Sequence, residues 1–139
     1  MSTAFVEKLR KTLRGEVIAP GDERYDVARA VYNGMIHKHP AAIARAADTA
    51  DVMACIAAAR DAGLALSIRG GGHSAGGLCL VDGGLCVDLR RLRGVRVDPQ
   101  ARTVRVEGGA TWGDVDHATH PFGLATPCGF ISTTGVGGL

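Results

Sequence analysis

The stretch Leu64-Ala65-Leu66-Ser67-Ile68-Arg69-Gly70-Gly71-Gly72-His73-Ser74 decides how this chain is read. Leu64 to Ile68 predicts a strand, and the three glycines after Arg69 predict a loop. In such a loop several backbone N–H groups can turn inward, because no Cβ blocks a positive φ. That geometry suits a diphosphate. Arg69 adds a charge and Ser74 a hydroxyl donor, so the local chemistry favours an anionic phosphate over a neutral ligand. Three adjacent glycines also occur in plain surface turns, and His73 is the residue that sets this loop apart from them.

Two common nucleotide motifs fit less well. Gly70, Gly72 and Ala75 match the pattern G-x-G-x-x-A, but that motif must open a helix whose first turn holds the pyrophosphate. Gly76, Gly77, Asp82, Gly83 and Gly84 make the following stretch a poor helix. An NTPase phosphate loop needs Lys followed by Ser or Thr after its last glycine, and neither stands there.

Upstream of the loop, Phe5, Val6, Leu9 and Leu13 recur at helical spacing and Gly15 can end that helix. Glu7 and the ordinary domain sequence that follows argue for a domain helix over a transit peptide. Glu16-Val17-Ile18 precedes the turn Pro20-Gly21-Asp22, after which Asp22 or Asp26 is expected to cap a helical stretch through Val31. Ala41 to Ala46 predicts a strand. Asp48 or Thr49 caps a helix from Ala50 to about Ala62, with Val52, Cys55, Ile56 and Ala59 as its apolar stripe, stopped by Gly63. With the strand into the loop, this makes a strand, helix, strand unit.

Downstream, Leu85 to Leu89 is another strand, and Val95 to Val97 with Thr103 to Val106 alternates at period two around Asp98-Pro99-Gln100-Ala101, a hairpin. Thr111 begins a short helix, Trp112 to about Ala118, on which Trp112 is expected to be a core anchor. The class is mixed α+β: a small mixed sheet with flanking helices, followed by hairpin strands. A second run, Pro127-Cys128-Gly129-Phe130-Ile131-Ser132-Thr133-Thr134-Gly135-Val136-Gly137-Gly138, repeats the chemistry of the first loop with small residues, hydroxyls and approachable backbone. Alone it reads as turns at a domain edge. Two such loops suit a long ligand with a diphosphate at its middle.

Composition closes off other classes. Of 139 residues, 46% are apolar and 22% charged, an ordinary globular balance, and the net charge of +2 comes with no basic run to grip nucleic acid. Aromatic residues at 4% are too few for a base-stacking platform. No stretch approaches the roughly 20 apolar residues that cross a bilayer, so no membrane partner is expected. Cys55, Cys79, Cys86 and Cys128 lack zinc-site spacing and no secretory leader precedes them, so they are read as reduced thiols of a cytoplasmic protein. His37 and His39, like His117 and His120, have no ligand partner at the right spacing and are read as surface histidines, with no metal.

From about Tyr32 to Leu139 the chain resembles the FAD-linked oxidases of the vanillyl-alcohol oxidase and p-cresol methylhydroxylase (PCMH) type, especially the berberine-bridge-enzyme and hydroxynicotine-oxidase branch. The resemblance rests on Asn33-Gly34-Met35-Ile36 with His39-Pro40-Ala41, on Arg69 to Ser74, on Val87-Asp88-Leu89 with Arg90 or Arg91, and on Gly108-Gly109-Ala110-Thr111-Trp112-Gly113-Asp114-Val115. It implies residues 1–31 as a helical and strand lead-in and 32–139 as a PCMH-type FAD-binding domain, incomplete at its carboxyl end and lacking a substrate domain. It implies FAD as cofactor, held by Arg69, Gly70, Gly71, Gly72, His73, Ser74 and Gly76 of the first loop. From the second run it adds Pro127, Cys128, Gly129, Ser132, Thr133, Thr134, Gly135, Gly137 and Gly138.

In that family the histidine matching His73 carries the flavin through the methyl carbon of its benzenoid ring. A neutral imidazole is a nucleophile near pH 7, and a histidyl link should raise the flavin's potential. Members with two links use a cysteine four residues before the first glycine of Gly-x-Gly-Gly. That position is Ile131 here, so a single link is expected, with Cys128 merely lining the site. The implied reaction is hydride transfer from a small-molecule substrate to FAD, with reoxidation by oxygen; no catalytic acid or base is identified. The alternative is a non-catalytic module, a flavin carrier or a remnant whose loops bind phosphate. A flavin domain ending at Leu139 would leave strands unpaired and apolar surface uncovered, so self-association or a partner chain is expected.

Overall fold

The computed structural model describes residues 3–139. Helix α1 (Thr3–Thr12) leads into β1 (Glu16–Ile18), α2 (Tyr25–Arg29), β2 (Ala42–Arg45), α3 (Thr49–Asp61) and β3 (Leu66–Arg69). Then come β4 (Leu85–Asp88), the pair β5 (Val95–Asp98) and β6 (Thr103–Val106), and α4 (Trp112–Thr119), with short 3-10 turns at His120–Phe122 and Val136–Gly138.

The main sheet has the order β1-β2-β4-β3. Strands β2 and β3 both run parallel to β4, with Ala42 and Leu66 each opposite Leu85, and Ile43 and Ser67 each opposite Cys86. The predicted strand, helix, strand unit is therefore present as β2-α3-β3, but β4 fills the gap between its strands. The apolar run Leu85-Cys86-Val87 suits that place, since a central parallel strand is covered on both faces, and all of β4 is buried.

Side-chain alternation then divides the core. Ala42, Ala44, Leu85 and Val87 meet Val6 and Leu9 of α1 and Cys55 and Ala59 of α3 on one face. Ile18, Ile43 and Cys86 meet Tyr25 and Ala28 of α2 and the Cys79-Leu80 segment on the other. Each fully buried Leu, Ile or Val contributes about 1.5–3 kcal/mol, which is what seats α1 and β1 in the same core as the segments after residue 31.

Two helix expectations are corrected. Helix α2 is shorter than the stretch to Val31 and has Arg24 at its N-cap with no side-chain cap. Asp22 is engaged elsewhere, accepting the Ala19 N–H at 2.7 Å and pairing with Arg10 at 2.8 Å. On α3, Asp48 does cap, accepting the Asp51 N–H at 3.0 Å, but Ile56 is 47% exposed and Asp51 is buried in its stead. The Asp51 carboxylate accepts the N–H groups of Arg14, Gly15 and Ala47 at 2.9, 2.8 and 2.9 Å. Burial raises its pKa, but these donors and the Arg14 charge hold it below the ordinary value. Asp51 thus clips the chain entering β1 to the chain leaving β2.

The hairpin forms as expected, Val95 opposite Val106 and Asp98 opposite Thr103. Asp98 Oδ1 closes its turn by accepting from Gln100 N and Ala101 N at 3.1 and 2.9 Å. Helix α4 packs on β5. The result is the small mixed sheet with flanking helices and a following hairpin that the sequence implies, and among the described residues no helix is long and apolar enough to cross a membrane.

Candidate functional site

Strand β3 ends at Arg69 and the chain runs through Gly70 to Ser74 without entering a helix. Arg69 is not aimed at the loop's ligand side, as its charge led one to expect. Its guanidinium turns back beneath the sheet and donates to Ala28 O at 2.5 Å, in the last turn of α2, and to Ala30 O at 2.6 Å, just past its end. At 4% exposure it is a buried brace, because the face of β3 that carries Ser67 and Arg69 is the covered one. The loop is therefore left with backbone groups and no guanidinium on its open side. Ser74 also works locally, its Oγ accepting the Leu78 N–H at 3.0 Å.

The second run is held in place by the start of α4. Ser132 O and Thr134 O accept the N–H groups of Gly113 and Trp112 at 2.8 and 3.0 Å, and Val136 N–H donates to Ala110 O at 2.9 Å. A helix N-terminus is a ready anion site, but these bonds take up the first donors of α4. Thr111 N and Oγ1 both donate to Asp114 Oδ2, at 2.8 and 2.9 Å. The Arg93 guanidinium bonded to Asp114 draws that carboxyl down to about 2.

The two glycine runs meet backbone to backbone. A Cβ on Gly71 would lie 2.4 Å from Gly135 N, and one on Gly135 would lie 2.2 Å from Gly71 N. Any other residue at either position would force the runs apart. Gly72, at φ +75°, makes the turn that carries the chain away from this contact. Between the runs lies a cavity of about 450 Å³, lined by Gly70 to Ser74, by Thr134, Gly135, Gly137 and Gly138, and by the apolar Ile68, Leu78, Leu89 and Leu139.

Two features fit this cavity to a flavin dinucleotide. Among the described residues, the backbone N–H groups of Gly70 to Ser74, and those of Gly135 and Gly137 opposite, donate to no protein acceptor. A row of unpaired donors around an opening is the complement of a diphosphate. Beside them the apolar side chains offer the surface a flat ring system needs. The half-buried His73 stands at this wall, its Nε2 hydrogen-bonded to Thr133 Oγ1 at 3.0 Å.

Of the predicted site residues, Arg69, Gly76, Pro127, Cys128, Gly129, Ser132 and Thr133 lie outside the cavity lining, although Thr133 reaches it through His73. Cys128 is an exposed free thiol, whereas Cys55, Cys79 and Cys86 are buried; burial pushes the Cys55 and Cys86 thiols up to about 11 and about 12. Trp112 is half-buried and stands 3.6 Å from where a Gly129 Cβ would lie, so it braces the second run. His37, His39, His117 and His120 are exposed, and among the described residues no cluster could hold a metal. Leu78, Leu89 and Gly108 of the lining went unassigned in the sequence, as did Tyr32, whose ring stacks on His73 at 4.1 Å. Nothing local to Tyr32 signals that contact, which exists only once the loop folds back.

Comparison with known proteins agrees with this geometry. The chain is 34% identical over 128 residues to (R)-6-hydroxynicotine oxidase of Paenarthrobacter nicotinovorans, covering 92% of this chain and 28% of that protein. Berberine bridge enzyme-like 3 of Arabidopsis thaliana is 34% identical over 108 residues, 73% of this chain and 20% of that one. The crystal structure of 6-hydroxy-D-nicotine oxidase from Arthrobacter nicotinovorans superposes with a TM-score of 0.87 at 32% identity, covering 97% of this chain and 28% of that chain. The Physcomitrella patens BBE-like 1 structure gives 0.88 at 27% identity, over 96% and 29%. The chain thus spans less than a third of the length of these relatives. The FAD binding domain family matches residues 40–139, which include the strand, both glycine runs and His73, and the chain belongs to that family.

Proposed function

We propose that this chain forms the flavin-holding wall of an FAD-linked oxidoreductase and that His73 carries the FAD through a single covalent bond. The observation that carries the reading is the set of unpaired N–H groups on Gly70 to Ser74, Gly135 and Gly137, all residues that line one cavity, with an oriented imidazole at its wall. When bound, FAD supplies a two-electron acceptor for a hydride leaving a small-molecule substrate, with oxygen as the final oxidant. The glycine backbones hold the diphosphate, and Ile68, Leu78 and Leu89 exclude water from the ring system. Ile131 offers no thiol for a second bond, and the exposed Cys128 does not line the cavity.

Leu78 at 81% and Leu139 at 72% exposure line the same opening, which supports a further segment, a second copy or a partner chain as its cover. The free cysteines support a reducing, cytoplasmic setting.

The test is acid precipitation after incubation with FAD in air. Wild-type protein should retain flavin absorbance in the precipitated polypeptide, and His73→Ala should release all of it. A wild-type protein that takes up no FAD would overturn the flavin reading, and acid-stable flavin in His73→Ala would overturn the assignment of His73. Turnover of no oxidisable substrate by a flavin-loaded protein would favour the non-catalytic carrier.

A further inference from the structure

The His73 ring is held by two residues that lie outside the cavity lining and come from distant parts of the chain. Thr133, from the second run, places Oγ1 3.0 Å from Nε2. Tyr32, from the segment after α2, stacks on the ring face with 4.1 Å between centroids and 17° between planes. The Tyr32 backbone N–H donates to Gly72 O at 3.1 Å, so the stack is anchored to the loop that carries the histidine. Among the described residues, Nδ1 has no hydrogen-bond partner.

We propose that Thr133 is a positioning residue that selects which nitrogen of His73 bonds to the flavin: Nε2 keeps its hydrogen and donates to Thr133 Oγ1, and Nδ1 presents the reacting lone pair. This rests on His73 as the attachment residue. A neutral imidazole has one N–H and one lone pair, and the bond made at one nitrogen sets the state of the other. If the Thr133 hydroxyl donated to Nε2, Nδ1 would carry the hydrogen and neither nitrogen would be free. If Nε2–H donates, Nδ1 is free. Thr133 therefore blocks Nε2 in both arrangements, and only one of them can react.

In the attachment step Nδ1 forms one bond to the methyl carbon of the benzenoid ring and one C–H bond of that methyl breaks. Nε2 then gives up its hydrogen. Both protons leave to solvent, and the two electrons pass through the isoalloxazine ring to dioxygen, which takes up two protons to become hydrogen peroxide. Tyr32 limits rotation about the ring's attachment, so that the lone pair keeps one direction.

Three measurements test this on the purified protein. In the absence of FAD, nitrogen-15 NMR of His73 should show the Nε2–H form; a dominant Nδ1–H form overturns the proposal. With FAD in air, the fraction of bound flavin that becomes acid-stable per unit time should fall about tenfold in Thr133→Val, the scale of one lost orienting hydrogen bond. Thr133→Ser should recover it, which a packing role for the Thr methyl would not predict. Equal rates in wild type and Thr133→Val overturn the proposal. Lastly, the histidyl-flavin released by proteolysis should be linked at Nδ1, and linkage at Nε2 overturns the proposal while leaving His73 as the attachment residue. Absence of acid-stable flavin from the wild type removes both readings.

Discussion

Replacing Gly71 by Ala tests whether the two glycine runs form one site. The added methyl would lie 2.4 Å from Gly135 N, 2.8 Å from Gly135 Cα and 3.0 Å from Thr133 O, all backbone atoms that cannot rotate away. Gly71 does not have a positive φ, so an L-residue's backbone preference is not the obstacle and the whole effect is steric. Overpacking of this kind costs about 1–3 kcal/mol. For a 139-residue chain that is a Tm lowered by about 3–10 °C.

The second run must move to relieve the contact, so the cavity widens and FAD affinity should fall at least as much, about tenfold. Gly76→Ala is the matched control, since nothing stands within 4 Å of a Cβ there. Gly135→Ala should reproduce the Gly71→Ala effect, and the double variant should cost less than the sum, because one methyl already separates the runs. Thermal melting and flavin-fluorescence titration read both quantities. If Gly71→Ala melts and binds FAD like Gly76→Ala, the runs do not close on one another and the site as described is wrong.

Two further outcomes follow from the same contacts. Arg69→Met should lower stability by about 2–4 kcal/mol in urea unfolding, because the carbonyls of Ala28 and Ala30 lose a charged donor; a change within about 0.5 kcal/mol would show that the guanidinium is not a brace. Asp114, drawn down to about 2 mainly by the Arg93 hydrogen bond, lies below the unfolded aspartate value of about 3.9. Its contribution is therefore fully present above about pH 4 and lost as pH falls toward 2. Asp114→Asn should flatten that acid limb and cost about 0.5–2 kcal/mol at neutral pH, the scale of a lost cap; an unchanged pH profile would refute the assignment.

Much of the architecture was legible because its causes are local. Asp48 before Thr49 announces a helix start, Asp98-Pro99-Gln100-Ala101 announces a turn, and glycines after Ile68-Arg69 forbid the helix that a Rossmann loop requires. Each depends on the conformational preference of a few neighbouring residues. Ile56 and Asp51 show where that reasoning ends. Apolar spacing put Ile56 inward, yet backbone donors from the distant Arg14-Gly15 segment, with the nearby Ala47 N–H, gave the Asp51 carboxylate a buried place. Asp22 was misread for the same reason, its oxygen taken by Ala19 and Arg10 before it could cap α2.

The amino-acid sequence alone determined that a strand delivers a glycine loop with a histidine in it, that a second such run follows, and that the pattern is that of FAD-linked oxidases. Only the tertiary structure decided that Arg69 faces away from the ligand side, that β4 enters between β2 and β3, that Gly71 and Gly135 touch, and that Tyr32 and Thr133 grip the histidine. Propensities and turns act over a few residues and can be read in order along the chain. The direction of a side chain and the meeting of two loops depend on which surfaces burial brings together, and burial takes no account of order.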